Sequence, residues 1–363
     1  MDSRRLPAVD ALRGLAALFV VWQHYSEAFV SIPSIAKNGR FLADIAFSLD
    51  FGRIGVLCFF LISGFVIPAS LKPGRPHPLG VFAVRRFFRL FPAYWVALLI
   101  GVVSLPLFNG THFSTGTIVA NIAMVQTFVL QPNVWGLFWT LEVELAFYVF
   151  CILLFCFGLL NQARALFIAC VGFTFLFGVL QVWVLNAPDL SPQKALAYMP
   201  LMLAVMLIGT LCRKFYDEGM DRKTLRTLVL ATLICFSVPL LIMAAAAVGR
   251  PLMASSYRFG LSHLLGLALF LGGLGLLKRA PRAFVWIGTV SYSVYLFHPV
   301  VSYAAVYYLR SPSGAWALGG HVSIYMAASL AACLLLAAAV YYGIENPAIK
   351  LGHRLSKRLQ SRE

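Results

Sequence analysis

The stretch Asp10-Ala-Leu-Arg13-Gly-Leu-Ala-Ala-Leu-Phe-Val-Val-Trp-Gln-His24 lies in an apolar run from Ala11 to Val30. That run is long enough to cross a bilayer as a helix. On a helix, Arg13 and His24 lie ~16 Å apart along the axis and only ~20° apart around it. One stripe therefore carries a cation near the inner end and an imidazole deep in the membrane. Such costly groups indicate a functional site, although a snorkelling Arg13 and a hydrogen-bonded core His24 are the alternative.

The composition of the chain is that of a membrane protein. Of its 363 residues, 61% are hydrophobic and 12% are charged, and the mean hydropathy is +0.84. The net charge of +16 is typical of basic cytoplasmic loops beside anionic lipid, so a lipid bilayer and not nucleic acid is the expected partner. The seven cysteines show neither disulfide nor metal-site spacing, and we expect no metal.

The apolar runs predict an all-α fold, a polytopic transmembrane bundle of about ten spanning helices. We place these spans at Ala11–Val30, Ile54–Leu71, Leu90–Phe108, Phe138–Leu160, Ala165–Leu185, Ala195–Leu211, Leu228–Val248, Leu261–Leu277, Phe284–Val306 and Val322–Gly343. A further apolar segment, Thr117–Val129, is short and contains Asn121 and Gln126. It is predicted to be a re-entrant or interfacial piece.

Charge distribution supports ten spans. With the N-terminus inside, 22 of the 29 Lys and Arg residues fall in cytoplasmic segments, as the positive-inside rule requires. Counting Thr117–Val129 as a full span would invert half of the chain and destroy this asymmetry. We therefore expect both termini to be cytoplasmic. Residues 1–363 are predicted to form one membrane domain, with a basic cytoplasmic tail over 348–363.

A basic cluster, Arg85-Arg86-Phe-Phe-Arg89-Leu-Phe-Pro92, lies at the inner end of the third span. Arg86 and Arg89 are i, i+3 neighbours on a helix, so their guanidinium groups can converge. Such a pair suits bidentate binding of phosphate. The alternative is an ordinary positive-inside anchor.

Two carboxylates lie near the outer end of the fourth span, in Trp139-Thr-Leu-Glu142-Val-Glu144-Leu-Ala-Phe-Tyr148. Because Glu142 and Glu144 are two residues apart, they point to different helix faces, and we expect only one to face the bundle interior. A carboxylate there is either a catalytic group or an ion-pair partner used for assembly.

A histidine lies in the ninth span, in Ser291-Tyr292-Ser-Val-Tyr295-Leu-Phe-His298-Pro299. Pro299 removes a helical hydrogen bond and is expected to open the backbone beside His298, although a buried histidine is often structural. In the second span, Ser63-Gly64 is interpreted as a site of close helix packing. Counting residues from the span ends puts His24, Glu144 and His298 in one outer-half layer, with the arginines at the inner end.

Six features occur in order along the chain: Arg13-x10-His24, Phe60-Leu-Ile-Ser63-Gly64-Phe65, Arg86-x-x-Arg89 with Pro92, Trp139-x-Leu-x-x-Glu144-x-x-Phe147-Tyr148, Ser291-Tyr292-Ser-x-Tyr295-Leu-x-His298 and Glu345-Asn-Pro347. Together they resemble the acyltransferase-3 family of integral membrane O-acyltransferases, over about residues 6–347. The resemblance implies transfer of an acyl group, usually acetyl from cytosolic acetyl-CoA, to a hydroxyl of an exported carbohydrate. It also implies a location in the bacterial inner membrane.

The resemblance also implies roles for the candidate residues. Arg13, Arg86 and Arg89 would hold the phosphates of acyl-CoA. His24 would be the general base or a transient acyl carrier, with Glu144 orienting or charge-balancing its imidazole. His298 is a secondary catalytic candidate.

Two other functional classes remain open from the residues alone. A transporter or flippase of lipid-linked sugar also suits basic and acidic groups in a bundle, but it does not need the inner pair Arg86 and Arg89. A structural subunit of a polysaccharide-export complex would tolerate replacement of Arg13, His24 or Glu144 one at a time. Binding or hydrolysis of acetyl-CoA by the purified protein discriminates an acyltransferase from a transporter.

Overall fold

The computed structural model describes residues 6–30, 36–37, 39–185, 191–219, 221–249, 256–277 and 280–360. Most of these residues lie in helices, which confirms the all-α prediction. The α-helices are α1 Pro7–Val30, α2 Arg40–Ser48, α3 Phe51–Val66, α4 Pro78–Asn109, α5 Thr115–Ala123, α6 Trp139–Cys156, α7 Ala163–Leu185, α8 Ser191–Asp217, α9 Arg222–Ala247, α10 Ser256–Leu276, α11 Arg282–Arg310, α12 Val322–Val340 and α13 Asn346–Gln360. Two short strands, β1 Ala36–Lys37 and β2 Gly320–His321, pair in parallel.

Nine helices within the described residues are long and apolar enough to cross a membrane, and they fall at the second to tenth predicted spans. The first predicted span forms the helix α1 but is not among the nine. Its last turns carry the polar run Gln23–Glu27, which lowers the hydropathy of the helix. The helix itself is confirmed, whereas its crossing of the membrane stays a prediction.

Two predicted segments differ in length from their helices. The helix α4 has 32 residues and begins twelve residues before the predicted Leu90, so the basic cluster lies inside the helix and not at its end. The predicted re-entrant segment is represented by α5, a helix of nine residues. At ~1.5 Å per residue, α5 is far shorter than a ~30 Å hydrocarbon core. It is therefore too short to be a full span, as the sequence predicts.

The chain divides into two compact units. Unit 1 contains Met1–Cys58, Phe88–Phe113 and Leu265–Leu351, and unit 2 contains Phe59–Phe87, Ser114–Leu264 and Gly352–Glu363. In unit 1, α1 packs along α11, and α12 packs on both. The crossing of α1 and α11 depends on two glycines: a Cβ at Gly288 would overlap the carbonyl oxygen of Asp10, and one at Gly14 would overlap that of Phe284. Small residues here let the two backbones approach.

Unit 2 is organised around α8, which packs against α7, α9 and α6. The segment Phe59–Val66 of α3 also lies on α8. A Cβ at Gly64 would overlap the carbonyl of Met206, and one at Gly209 would overlap that of Leu61. Thr210 Oγ1 donates to the Gly64 carbonyl at 3.1 Å. The interpretation of Ser63-Gly64 as a close-packing site is therefore confirmed.

The predicted topology has a direct test. In a variant cleared of reactive thiols, we expect a cysteine at position 133 to react with an impermeant thiol reagent added outside the cell. A cysteine at position 357 should react only after the membrane is permeabilised. The expectation follows from the excess of basic residues on the inner side of a ten-span chain. The reverse labelling pattern would refute cytoplasmic termini.

Candidate active site

The two predicted catalytic histidines meet in unit 1. The rings of His24 on α1 and His298 on α11 are stacked, with centroids 5.1 Å apart and planes inclined by 21°. The two helices approach closely at Gly14 and Gly288, and they pack along each other from there to the two rings. His298 is buried, whereas 47% of the His24 side chain is exposed. The imidazole expected deep in the membrane is therefore the more accessible ring of the pair.

His298 is held by the backbone of its own helix. The helix α11 continues through Pro299, so the predicted opening of the backbone does not occur. Pro299 lacks the N–H that would bond the carbonyl of Tyr295, four residues earlier. His298 Nδ1 lies 2.7 Å from that carbonyl and replaces the missing donor. Because a carbonyl accepts only, Nδ1 carries the proton of the neutral ring, and in that form Nε2 of His298 keeps its lone pair.

His24 has an acidic neighbour, Glu27, that was not predicted from the sequence motifs. Glu27 Oε2 lies 3.3 Å from His24 Nδ1, one turn along α1. A carboxylate facing Nδ1 favours the tautomer in which Nε2 is unprotonated and able to accept a proton. An i, i+3 spacing on a helix is the signal that would have found Glu27. That Glu144 acts on this imidazole stays a prediction.

Arg13 is half-buried on α1, beside Gly14 at the crossing with α11. The unbroken helix keeps it ~16 Å along the axis from His24, as predicted. Its role in binding an acyl donor stays a prediction.

Arg89, which is half-buried, forms an ion pair with a buried carboxylate in unit 1. Its Nη1 bonds Oε1 of Glu345, a fully buried carboxylate, and Ser293 donates to the second oxygen of Glu345 at 2.6 Å. Glu345 ends a π-helical turn, Tyr341–Glu345, between α12 and α13. Turns of this kind occur often at functional sites. The Arg89 guanidinium also lies 5.3 Å from the centre of the Tyr292 ring, an attractive cation–π contact.

Arg86 lies in unit 2, where it contacts neutral groups. Its Nη2 donates to Ser70 Oγ at 2.8 Å. Its guanidinium lies 5.3 Å from the centre of the Phe82 ring and 5.5 Å from that of Tyr148. Arg86 and Arg89 thus share one helix but have different partners, and their predicted common phosphate site stays a prediction.

The two carboxylates of α6 have different surroundings, as their spacing predicts. Glu142 is fully buried, and its Oε1 accepts from the backbone N–H of Thr127 at 2.7 Å while the Thr127 hydroxyl bonds Oε2. It ties the segment after α5 to α6. Glu144 is half-buried and accepts a hydrogen bond from the Tyr148 hydroxyl. Because Tyr148 also contacts Arg86, Glu144 belongs to the same cluster of side chains in unit 2.

The profile of a family described as "Acyltransferase domain", acyltransferase-3, matches residues 6–338. The chain belongs to the acyltransferase-3 family. The match contains His24, His298 and the whole basic cluster, and it ends before Glu345. The expectation drawn from the sequence motifs is therefore confirmed for the family.

Two curated relatives align along most of the chain. A putative peptidoglycan O-acetyltransferase, YrhL of Bacillus subtilis (strain 168), is 24% identical over 396 residues, covering 98% of this chain and 56% of that protein. Peptidoglycan O-acetyltransferase OatA of Listeria monocytogenes serovar 1/2a is 24% identical over 338 residues, covering 82% of this chain and 49% of that protein.

A third relative, acyltransferase MdmB of Streptomyces mycarofaciens, is 30% identical over 154 residues, which cover 40% of this chain and 38% of that protein. The chain spans about half of the length of the two O-acetyltransferases. No solved structure matches the chain.

Proposed function

We propose that the protein is a membrane O-acyltransferase that moves an acetyl group from cytosolic acetyl-CoA to a hydroxyl of a cell-surface carbohydrate. The observation that carries this proposal is the alignment with two peptidoglycan O-acetyltransferases along 98% and 82% of the chain. Peptidoglycan is accordingly the first acceptor to test. The proposed location is the bacterial inner membrane, with both termini in the cytoplasm, which the excess of basic residues on the inner side supports.

The proposed chemistry begins with the unprotonated Nε2 of His24. This nitrogen takes the proton of the acceptor hydroxyl while the hydroxyl oxygen attacks the thioester carbonyl carbon of acetyl-CoA. The carbon–sulfur bond then breaks, the CoA sulfur leaves with the electron pair, and the proton passes from the imidazolium to the thiolate. The products are an acetyl ester and free CoA. A positioned base of this kind contributes ~10²–10⁴-fold to the rate.

Donor binding is proposed for Arg13, Arg86 and Arg89, since guanidinium groups bind phosphate through charge-assisted hydrogen bonds. The contacts that Arg86 and Arg89 make in the structure favour one of them as a phosphate ligand. Arg86 bonds a neutral hydroxyl, and no carboxylate of the described residues lies within ion-pair distance of it. Arg89 already has Glu345, so a phosphate there would compete with a buried carboxylate. Arg86 is therefore the stronger candidate for a donor contact.

The function is tested by comparing a deletion strain with its parent. Muropeptides and other surface glycans are isolated without alkali, and ester-linked acetate is then released by mild base and quantified per sugar. We expect the deletion to lower acetate per sugar with the amount of glycan unchanged. A lower amount of glycan with unchanged acetylation would instead indicate a transporter.

We expect Arg86→Ala to weaken acetyl-CoA binding by roughly tenfold or more. A hydrogen bond to a charged group contributes ~1.5–3 kcal/mol, and ~1.4 kcal/mol corresponds to a factor of ten in affinity. Lysine at this position should restore only part of the affinity, because it keeps the charge but loses the bidentate fork. The measurement is isothermal titration of the purified protein with acetyl-CoA.

Arg85→Ala is the matched control for this experiment. Arg85 is the neighbouring residue on α4, and its Nε donates to Ser356 Oγ at 2.9 Å. Its removal deletes the same charge from the same helix, and we expect the affinity for acetyl-CoA to be retained. Equal affinities of wild type and Arg86→Ala would remove Arg86 from the donor site. Equal losses in both variants would mean that the total charge of the segment matters, and not a specific contact.

A further inference from the structure

Gln23 anchors a hydrogen-bonded array in unit 1. Its side chain is buried, and its Nε2 donates to the carbonyl of Ala46 at 3.3 Å. Its Oε1 accepts from the backbone N–H of Phe51 at 3.2 Å. These bonds join α1 to α2 and to the first residue of α3. The amide is therefore held from three elements and has a fixed orientation.

The same amide extends the array to Glu27. Gln23 Nε2 donates to Glu27 Oε1 at 2.7 Å, and the other carboxylate oxygen faces His24 Nδ1 at 3.3 Å. Glu27 thus bridges a fixed, buried amide and the imidazole proposed as the base. Each oxygen of the carboxylate has its own partner, so rotation of the carboxylate would break both contacts at once.

Because the His24 and Glu27 side chains are partly exposed, a contact between them is needed to fix the orientation of the imidazole. Forty-seven per cent of the His24 side chain and 43% of the Glu27 side chain are exposed, so packing alone does not fix either side chain. An accessible imidazole has several rotamers, and holding one of them costs conformational entropy. His298 stacks on one face of the ring, and Glu27 restrains its edge at Nδ1. Together they restrict the orientation of the His24 ring through its face and its Nδ1 edge, and neither contact uses Nε2.

We propose that Glu27 is a positioning residue for His24. It keeps the proton on Nδ1 and stabilises the imidazolium that forms when Nε2 takes the proton of the acceptor hydroxyl. The carboxylate stays ionised throughout, and Gln23 keeps it in place. This inference rests on the proposed function, because it requires His24 to be the general base.

The test compares four variants of the full-length protein in liposomes: Glu27→Gln, Glu27→Asp, His24→Gln and Asp44→Asn. Asp44 is an exposed carboxylate on α2 and serves as the control for loss of one negative charge in unit 1. The measurements are kcat and KM for acetyl-CoA with muropeptide as acceptor, read as release of free CoA thiol. The thermal unfolding midpoint is recorded for each variant.

We expect Glu27→Gln to lower kcat by ~10-fold or more, because the imidazole loses the carboxylate that sets its tautomer and balances its charge, a change that costs ~10⁴-fold in a buried Ser-His-Asp triad. KM for acetyl-CoA and the unfolding midpoint should stay unchanged. Glu27→Asp should recover part of kcat because it keeps the charge, and Asp44→Asn should resemble wild type. This split between kcat and KM, with rescue by aspartate, is not expected of a residue needed only for folding.

Three results would overturn the inference. Unchanged kcat in Glu27→Gln, with His24→Gln inactive, would remove Glu27 from the mechanism and leave the proposed function standing. A lower unfolding midpoint in Glu27→Gln, without rescue by aspartate, would assign Glu27 to folding. Full activity of His24→Gln would refute the proposed function itself, and with it the role of Glu27.

Discussion

His24→Gln is expected to abolish acyl transfer, with a loss of at least ~10²–10⁴-fold in kcat. Glutamine keeps a polar side chain of similar reach and some hydrogen bonding, but it cannot take a proton at neutral pH. Binding of acetyl-CoA should persist, because the proposed donor contacts lie on other residues. The measurement is release of CoA thiol by the purified variant, with acetyl-CoA affinity determined by titration.

His112→Gln is the control for this prediction. His112 is an exposed histidine of unit 1, so its replacement tests the same chemical change outside the pair of stacked rings, and full activity is expected. If His24 were only a packing residue, glutamine would be tolerated or the variant would show lower thermal stability. A well-folded His24→Gln protein with near-normal turnover would refute the proposed mechanism.

Arg89→Ala is expected to destabilise the protein by about 3–5 kcal/mol, because it leaves Glu345 as an unpaired carboxylate in a buried position. The hydroxyl of Ser293 satisfies one oxygen of Glu345 but cannot balance its charge. The double variant Arg89→Ala, Glu345→Gln should recover most of the loss, since it removes both charges. The measurement is the free energy of unfolding in mixed detergent micelles titrated with a denaturing detergent.

Arg213→Ala provides the comparison with an ion pair whose carboxylate is exposed. Arg213 Nε lies 2.7 Å from Asp217 Oδ2, and both side chains are partly exposed, so a cost of ~1 kcal/mol or less is expected. Equal effects of Arg89→Ala and Arg213→Ala would contradict the importance of burial for the Arg89–Glu345 pair. The result also guides tests of donor binding at Arg89, which require the double variant because a poorly folded single variant would mimic a binding defect.

The sequence predicted the helices well because the bilayer sets their length and composition. A run of about 20 apolar residues has few alternatives to a helix in hydrocarbon, and the second to tenth spans were found in this way. α1 is the instructive exception. Its polar end, which takes it below the hydropathy of the other spans, is also where Gln23, His24 and Glu27 interact.

The pairing of functional side chains was harder to predict than the helices. Counting residues from the span ends predicted that His24 and His298 lie at a similar membrane depth. The stacking of their rings depends on tertiary packing, which such a count does not contain. The partner of Arg89 is Glu345, 256 residues away along the chain, and no local spacing connects the two. The sequence motif containing Glu345 was recognised without a role, since neither its π-helical turn nor its ion pair has a periodic pattern. Glu27 was missed although it lies one turn from His24.

The glycine crossing of α1 and α11 has a consequence for biosynthesis. Asp10 and Gly288 touch in the finished protein, yet translation at about 5–20 residues per second separates their appearance by roughly 15–60 s. During this interval the first helix, with its charged and polar side chains, lacks the neighbour that covers its small-residue face. The packing of α1 against α11 is therefore completed only late in synthesis. A stop codon that removes α11 would leave the first helix without this packing partner.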